Sequence, residues 1–157
     1  MVGRADDMHA IHDEQTAGTM GWLDAWAQTR GGRRGRASVA SPTSGLVYAV
    51  TRHGTSREGD PHLHDHVLIA NVCEMRDGKG GYKALFSAQL RDLTEAATMV
   101  GRLHSAAKAV ELGYAIEPDQ GRSGRARSWR IAGIPSDVCE IFAKRSDQID
   151  APTFVKA

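Results

Sequence analysis

Residues 52–71 read Arg52-His53-Gly54-Thr55-Ser56-Arg57-Glu58-Gly59-Asp60-Pro61-His62-Leu63-His64-Asp65-His66-Val67-Leu68-Ile69-Ala70-Asn71, and they hold four of the chain's seven histidines. From Leu63 onward the run is apolar and rich in β-branched residues, with Asp60-Pro61 as punctuation upstream, which predicts a strand over 63–73. Side chains alternate faces along a strand, so His64 and His66 project to one side with Cα atoms about 7 Å apart. A second apolar run, Gly45-Leu46-Val47-Tyr48-Ala49-Val50-Thr51-Arg52, predicts a strand over 45–53 that ends in His53. If the two runs pair antiparallel across the glycine-bearing loop 54–62, His53 returns close to His64. Three neutral imidazoles with an open side suit a catalytic-type metal site, with bonds of about 2.0–2.2 Å, and not a closed structural one. The bland alternative is an alternating polar strand face. His62 shares that face but lies about 13 Å along the strand from His66, so it reads as a flank. Asp60 and Asp65 are candidates to orient the imidazoles. Asp65 alternates to the opposite face, which favours Asp60.

The surrounding chain sets limits. Its 157 residues suit one domain, and 41% hydrophobic with 25% charged residues is ordinary globular composition. The net charge of +1 says nothing about nucleic acid. No apolar run approaches the roughly 18 residues of a membrane span, and Met1–Asp7 does not read as a signal peptide. A cytoplasmic protein is expected, with Cys73 and Cys139 as reduced, buried thiols.

Residues 1–7 and 150–157 read as frayed tails. A helix is expected over 8–29 with Ile11, Ala17, Trp22, Ala25 and Trp26 as its stripe, and with His9 and His12 on a solvated face. Residues 30–44 read as a loop in which Arg30, Arg33, Arg34 and Arg36 are spaced by glycines, a pattern able to wrap a phosphate backbone. A turn at 76–81 leads to a short extended segment at 82–86. A long helix follows, starting at Ser87 or Ala88 and ending before Gly113. Its stripe is Leu90, Leu93, Ala97, Val100, Leu103, Ala107 and Val110, and one face should be covered by a sheet. Strands 114–117 and 127–132 flank a loop with a second arginine cluster, and Trp129 is expected to pack in the core. Pro135 opens a last helix over 135–148, with Val138, Ile141, Phe142 and Ile149 as its apolar positions.

The order His53, a Thr-Ser-Arg turn, Gly-Asp-Pro-x-Leu-His-x-His, an apolar strand and Asn71 resembles the three-histidine signature of conjugative relaxases of the MobF type. These belong to the His-hydrophobic-His (HUH) endonucleases. Gly133-Ile134-Pro135 followed by Phe142-Ala143-Lys144-Arg145 is similar to the family's closing helix, so the resemblance covers about 8–148. It implies an α+β domain, a mainly antiparallel sheet with helices packed on it, corresponding to the latter part of a relaxase domain. It implies His53, His64 and His66 as ligands of a divalent ion of the magnesium or manganese kind, with zinc or nickel as alternatives. It also implies single-stranded DNA at a plasmid transfer origin as partner, nicked and rejoined through a 5′-phosphotyrosyl intermediate.

Beside such a cluster, Arg33, Arg34, Arg36, Arg57, Arg122, Arg125 and Arg127 are the expected DNA contacts. The family's nucleophilic tyrosines sit upstream of the first helix read here. The chain is therefore expected to lack the nucleophile, which a separate chain carrying the relaxase N-terminal segment would supply, and its sheet is expected to expose an edge. Tyr48 falls on the face opposite His53, about 17 Å along the strand. Nothing aims Tyr82 or Tyr114 at the cluster. Two other readings stand beside this one: a non-catalytic DNA-binding remnant, and a three-histidine metallohydrolase for small substrates, against which the arginine clusters argue.

Overall fold

The computed structural model describes residues 5–31, 39–76, 81–119 and 128–142. The first helix, α1, runs Ala5–Trp26, with Asp6 and Asp7 in its first turn, where carboxylates complement the helix dipole. Residues 5–7, expected to fray, are helical, and Asp7 accepts a 2.8 Å hydrogen bond from the Tyr114 hydroxyl. Residues 1–4 and 150–157 lie outside the described residues. The buried positions of α1 are Ile11, Gly18, Met20 and Leu23. Ala17, Ala25 and Trp26 of the expected stripe are exposed instead.

Where a loop was expected after α1, the chain forms β1 (Gln28–Gly31) and β2 (Val39–Pro42), paired antiparallel. β1 also bonds on its other side, Arg30 N–H to the Ala84 carbonyl and Phe86 N–H to the Gln28 carbonyl. Thr29 is wholly buried between these neighbours. Tertiary pairing, not β-propensity, makes this strand. The Arg30 guanidinium lies 6.0 Å from the Phe86 ring centroid.

The histidine-bearing strands are β3 (Tyr48–Thr55) and β4 (Pro61–Ile69). β5 (Cys73–Glu74) and β6 (Tyr82–Lys83) follow, then β7 (Ile116–Asp119) and β8 (Ser128–Ile131). Every pairing among the described strands is antiparallel, in four two-stranded ribbons. Isolated bridges Thr29–Leu85 and Thr43–Met75 tie the β1–β2 ribbon to the β5–β6 ribbon. The β7–β8 pair forms as expected, with β7 starting two residues later than read. Trp129, expected in the core, is half-buried against α3, its indole N–H donating to the Arg102 carbonyl at 3.0 Å and to Ser105 Oγ at 3.2 Å.

The long helix divides into α2 (Ser87–Asp92) and α3 (Thr94–Glu111) at Leu93. The Thr94 hydroxyl reaches back to the Leu90 carbonyl at 3.3 Å, a bond that bends helices. At the far end Gly113 has φ +88°; its N–H donates to Val110 and that of Tyr114 to Ala109, the glycine-capped termination expected there. The last helix, α4, spans Ser136–Ile141, with Val138, Ile141 and Phe142 exposed; 143–150 fall outside the described residues.

Two linked apolar clusters form the core. Met20, Leu23 and Ala97 make one, and Ala27, Cys73 and Leu85 the other, with Leu46, Ile69 and Leu90 packed against both. Val67 of β4 joins the first, so α1 and the start of α3 cover one face of the histidine ribbon. Cys73 is buried as expected, and burial pushes its thiol above the ordinary range; Cys139 is exposed.

Only the start of the stripe expected to face a sheet does so, with Leu90, Leu93 and Ala97 packed with Val67 and Ile69 of β4. α3 buries Ala97, Gly101, Ser105 and Ala109, and leaves Leu103 and Val110 in solvent. The reason is the crossing with α1. A Cβ on Gly101 would overlap Thr19 Oγ1 and approach the Gln15 carbonyl oxygen to 2.8 Å; one on Gly18 would come within 2.7 Å of the His104 ring. Two helices this close admit only small residues at the contact.

Gly101→Ala should therefore destabilise the chain. Overpacking costs about 1–3 kcal/mol and outweighs the gain in helix propensity of about 1 kcal/mol. Gly21, exposed on α1 with nothing within 4 Å of a built Cβ, should show the opposite sign on substitution by alanine. Urea denaturation of the two variants beside wild type reads both.

Candidate metal centre

The register of β3 on β4 decides what meets what. His53 pairs with His64, Arg52 with Asp65, and Thr51 with His66. His53, His64 and His66 consequently share one face of the ribbon. The pairing becomes irregular between His53 and Thr55, a bulge at Gly54 of the kind that re-aims side chains beside functional sites. The connecting turn is self-braced. Ser56 N–H donates to the Asp60 carbonyl at 2.9 Å, and Ser56 Oγ accepts from the backbone N–H groups of Glu58 and Asp60. Gly59 takes φ +80° within it.

The three rings converge. Centroids lie 4.8 Å apart for His53–His66, 5.0 Å for His64–His66 and 5.4 Å for His53–His64. One nitrogen of each falls within 4.8 Å of the others, and among the described residues this is the one such group of three metal-ligating side chains. His53 and His66 are exposed, so modest ring rotations bring all three nitrogens to a common ion at about 2.0–2.2 Å. His64 Nδ1 lies 2.9 Å from the His62 carbonyl oxygen. A carbonyl only accepts, so Nδ1 carries the proton and Nε2 keeps the lone pair for a metal. The His62 ring stands 4.8 Å from that of His64, as a flank.

The opposite face of the ribbon carries what sequence reasoning missed. Asp65, its side chain 4% exposed, receives Arg52 Nε and Nη2 at 2.8 Å each and the Thr16 hydroxyl at 2.6 Å. The remaining Arg52 nitrogen, Nη1, reaches Asp13 at 2.7 Å. His12, expected on a solvated helix face, is largely buried with Nε2 3.5 Å from Asp65. Nε2 makes no hydrogen bond and burial holds the imidazole below its ordinary 6.5, so we read it as neutral. The available signal was the spacing Asp13–Thr16 on the helix and the alternation of Asp65 against its two histidine neighbours.

Arg57 is exposed in the turn beyond the triad. Arg33, Arg34 and Arg36, with Arg122, Arg125 and Arg127, lie outside the described residues. Tyr48 pairs with Ile69 and sits on the ribbon face opposite the imidazoles. Tyr82 is 69% exposed in β6, and the Tyr114 hydroxyl is bonded to Asp7.

The family model described as TrwC relaxase matches residues 1–154. The chain belongs to the TrwC relaxase family. A multifunctional conjugation protein TraI of Escherichia coli is 27% identical over an alignment of 158 positions that covers 95% of this chain and 8% of that protein. The metal-free structure of conjugative relaxase TrwC in complex with OriT DNA superposes with a TM-score of 0.79 at 32% identity, covering 94% of this chain. The metal-bound TrwC structure with OriT DNA gives 0.78 at 31% identity over 92% of this chain. This chain spans 49% and 47% of those two TrwC chains. The relaxase resemblance and the α+β expectation are borne out. No helix of the structure, among the described residues, is long and apolar enough to cross a membrane.

The Asp65 cluster has a pH signature. The Arg52 hydrogen bonds, helped by the Thr16 hydroxyl, outweigh desolvation and hold the Asp65 carboxyl at about 2 against an ordinary 3.8. The same bonds keep Arg52 protonated beyond its ordinary range. A depressed carboxyl contributes stability that is whole above 3.8 and disappears as pH falls towards 2. Near neutrality the contribution is on the order of 2 kcal/mol. Calorimetric unfolding of wild type and Asp65→Asn should show a stability gap at pH 7 that closes between pH 4 and 2.

Proposed function

We propose that this chain is the metal-binding and single-stranded-DNA-binding part of a conjugative relaxase, a site-specific DNA strand transferase of the cytoplasm. The observation that carries the reading is the convergence of His53, His64 and His66 on one open face, in a chain of the TrwC family. TrwC itself is described in complex with OriT DNA and in a metal-bound form, which supports single-stranded transfer-origin DNA as the partner.

His53, His64 and His66 would hold a divalent ion. Imidazole nitrogens suit zinc or nickel better than magnesium, which prefers oxygen. When bound, such an ion neutralises the non-bridging oxygens of a phosphodiester and stabilises charge developing on them. The chain's own part is to present three neutral imidazoles on a braced hairpin and leave the fourth side free for phosphate. Binding weakens on acidification, because a protonated imidazole cannot ligate. Arg57, together with the arginine groups at 33–36 and 122–127, would hold the phosphate backbone. Log affinity for DNA then falls with log salt at roughly −0.7 per phosphate contact, and flattens when Arg33, Arg34 and Arg36 are replaced by alanine.

Neither Tyr48 nor Tyr114 is placed to act as the nucleophile. Strand transfer needs a tyrosine oxygen within about 3–3.5 Å of phosphorus, displacing the 3′-hydroxyl. Tyr48 is on the wrong face of the ribbon and the Tyr114 hydroxyl is engaged by Asp7. The reading is completed by a segment bearing the relaxase tyrosines.

The test uses end-labelled single-stranded transfer-origin DNA, manganese and a denaturing gel. This chain alone should give no protein–DNA adduct. Adding a tyrosine-bearing relaxase N-terminal segment should give an adduct on that segment, lost in the His53, His64, His66 triple-alanine variant. An adduct on this chain that vanishes in Tyr82→Phe would contradict the assignment. DNA binding with no adduct in either arrangement would favour the non-catalytic module.

A further inference from the structure

The three imidazoles are poorly held by their own contacts. His53 and His66 are exposed, and the one hydrogen bond among them runs from His64 to its own strand. Their mutual position therefore depends on the backbones of β3 and β4. A two-stranded ribbon is marginal by itself, and what specifies its register is the face it buries. A slip of one residue would send the histidines of one strand to the other face.

One feature sits where it can prevent that. Arg52 directly precedes His53, and Asp65 lies between His64 and His66, the two residues being partners across the ribbon. Their bidentate fork crosses from strand to strand between the ligand pairs, on the buried face. Thr16 and Asp13 of α1 then grip one partner each, at 2.6 and 2.7 Å. The fork has a single in-plane geometry, which a slipped register cannot reproduce. Leaving either charge unpaired at this depth is strongly disfavoured. His12 fills the space beside Asp65.

We propose that Arg52, Asp65 and Thr16 are positioning residues for the metal triad, clamping the β3–β4 register from the reverse face of the ribbon and coupling the metal's geometry to α1. This rests on the reading of His53, His64 and His66 as metal ligands. None of the three positioning residues would touch the ion. A merely structural cluster would change melting temperature and nothing else. A positioning cluster changes how the folded protein binds metal.

The experiment is cobalt(II) titration of the full chain, followed by its visible absorption, at a temperature where circular dichroism shows each variant folded. Arg52→Lys loses the fork, Asp65→Asn its charge, and Thr16→Val only the hydroxyl donated from α1. Each should weaken cobalt binding, by about tenfold for Arg52→Lys and Asp65→Asn, and should alter the cobalt spectrum. Thr16→Ser, which keeps the hydroxyl, should recover wild-type affinity and spectrum. Should the two charge variants fail to fold, the Thr16 pair carries the test alone. Wild type that takes up no cobalt overturns the metal reading, and this inference with it. Wild type that binds cobalt, with folded Arg52→Lys, Asp65→Asn and Thr16→Val binding equally well and showing the same spectrum, overturns this inference alone.

Discussion

The Arg52–Asp65 fork is the interaction on which the rest of the arrangement depends. It joins two strands at their one charged cross-strand pair and ties both to α1 through Thr16 and Asp13. The charge count explains why it is tolerated with Asp65 so far from water. One guanidinium serves two carboxylates, and Asp65 takes three hydrogen bonds. Register follows from the fork and from the bulge at Gly54, and from register follows the meeting of three imidazoles on the far side.

The ribbon thus has two faces with opposite duties. One is packed, with Val67 and Ile69 against Met20, Leu23 and Ala97, and with the ion pair where the apolar contacts end. The other keeps His53 and His66 in solvent and leaves Leu68 76% exposed. Period-2 alternation makes this division unavoidable: every residue that anchors the strand lies beside one that is presented. The helices behind it are held by closeness and not by bulk, since Gly18 and Gly101 let α1 and α3 approach until larger side chains have no room.

Much of this could be read from residues 45–73. The alternation His64-Asp65-His66, the antiparallel return to His53 and the resemblance to MobF relaxases led to the triad's shared face and to the family. Gly113 marked the end of α3 for a reason local to the chain, because only a residue at ease with positive φ closes a helix in that way. What escaped was set by distant contacts. β1 looked like an arginine-glycine loop because its pairing partners are at 39–42 and 84–86. The α3 stripe was read from hydrophobicity, which ranks Leu103 above Gly101, whereas the helix crossing selects for smallness. His12 read as a surface histidine because nothing near it in the chain announces Asp65. Asp60 shares the imidazoles' side of the strand and its backbone closes the turn, whereas Asp65 takes the Arg52 fork on the reverse face. Alternation was read correctly there, but its consequence was drawn for one face only.

The central claim is that the β3–β4 register brings His53, His64 and His66 to one divalent ion. A crystal structure of the chain grown with manganese, with anomalous scattering recorded for that element, tests it most directly. The account predicts a single anomalous peak bonded to one nitrogen of each of the three imidazoles, Nε2 in the case of His64, with the Arg52–Asp65 fork unbroken behind it. A peak elsewhere, or one held by fewer than these three histidines, would contradict it.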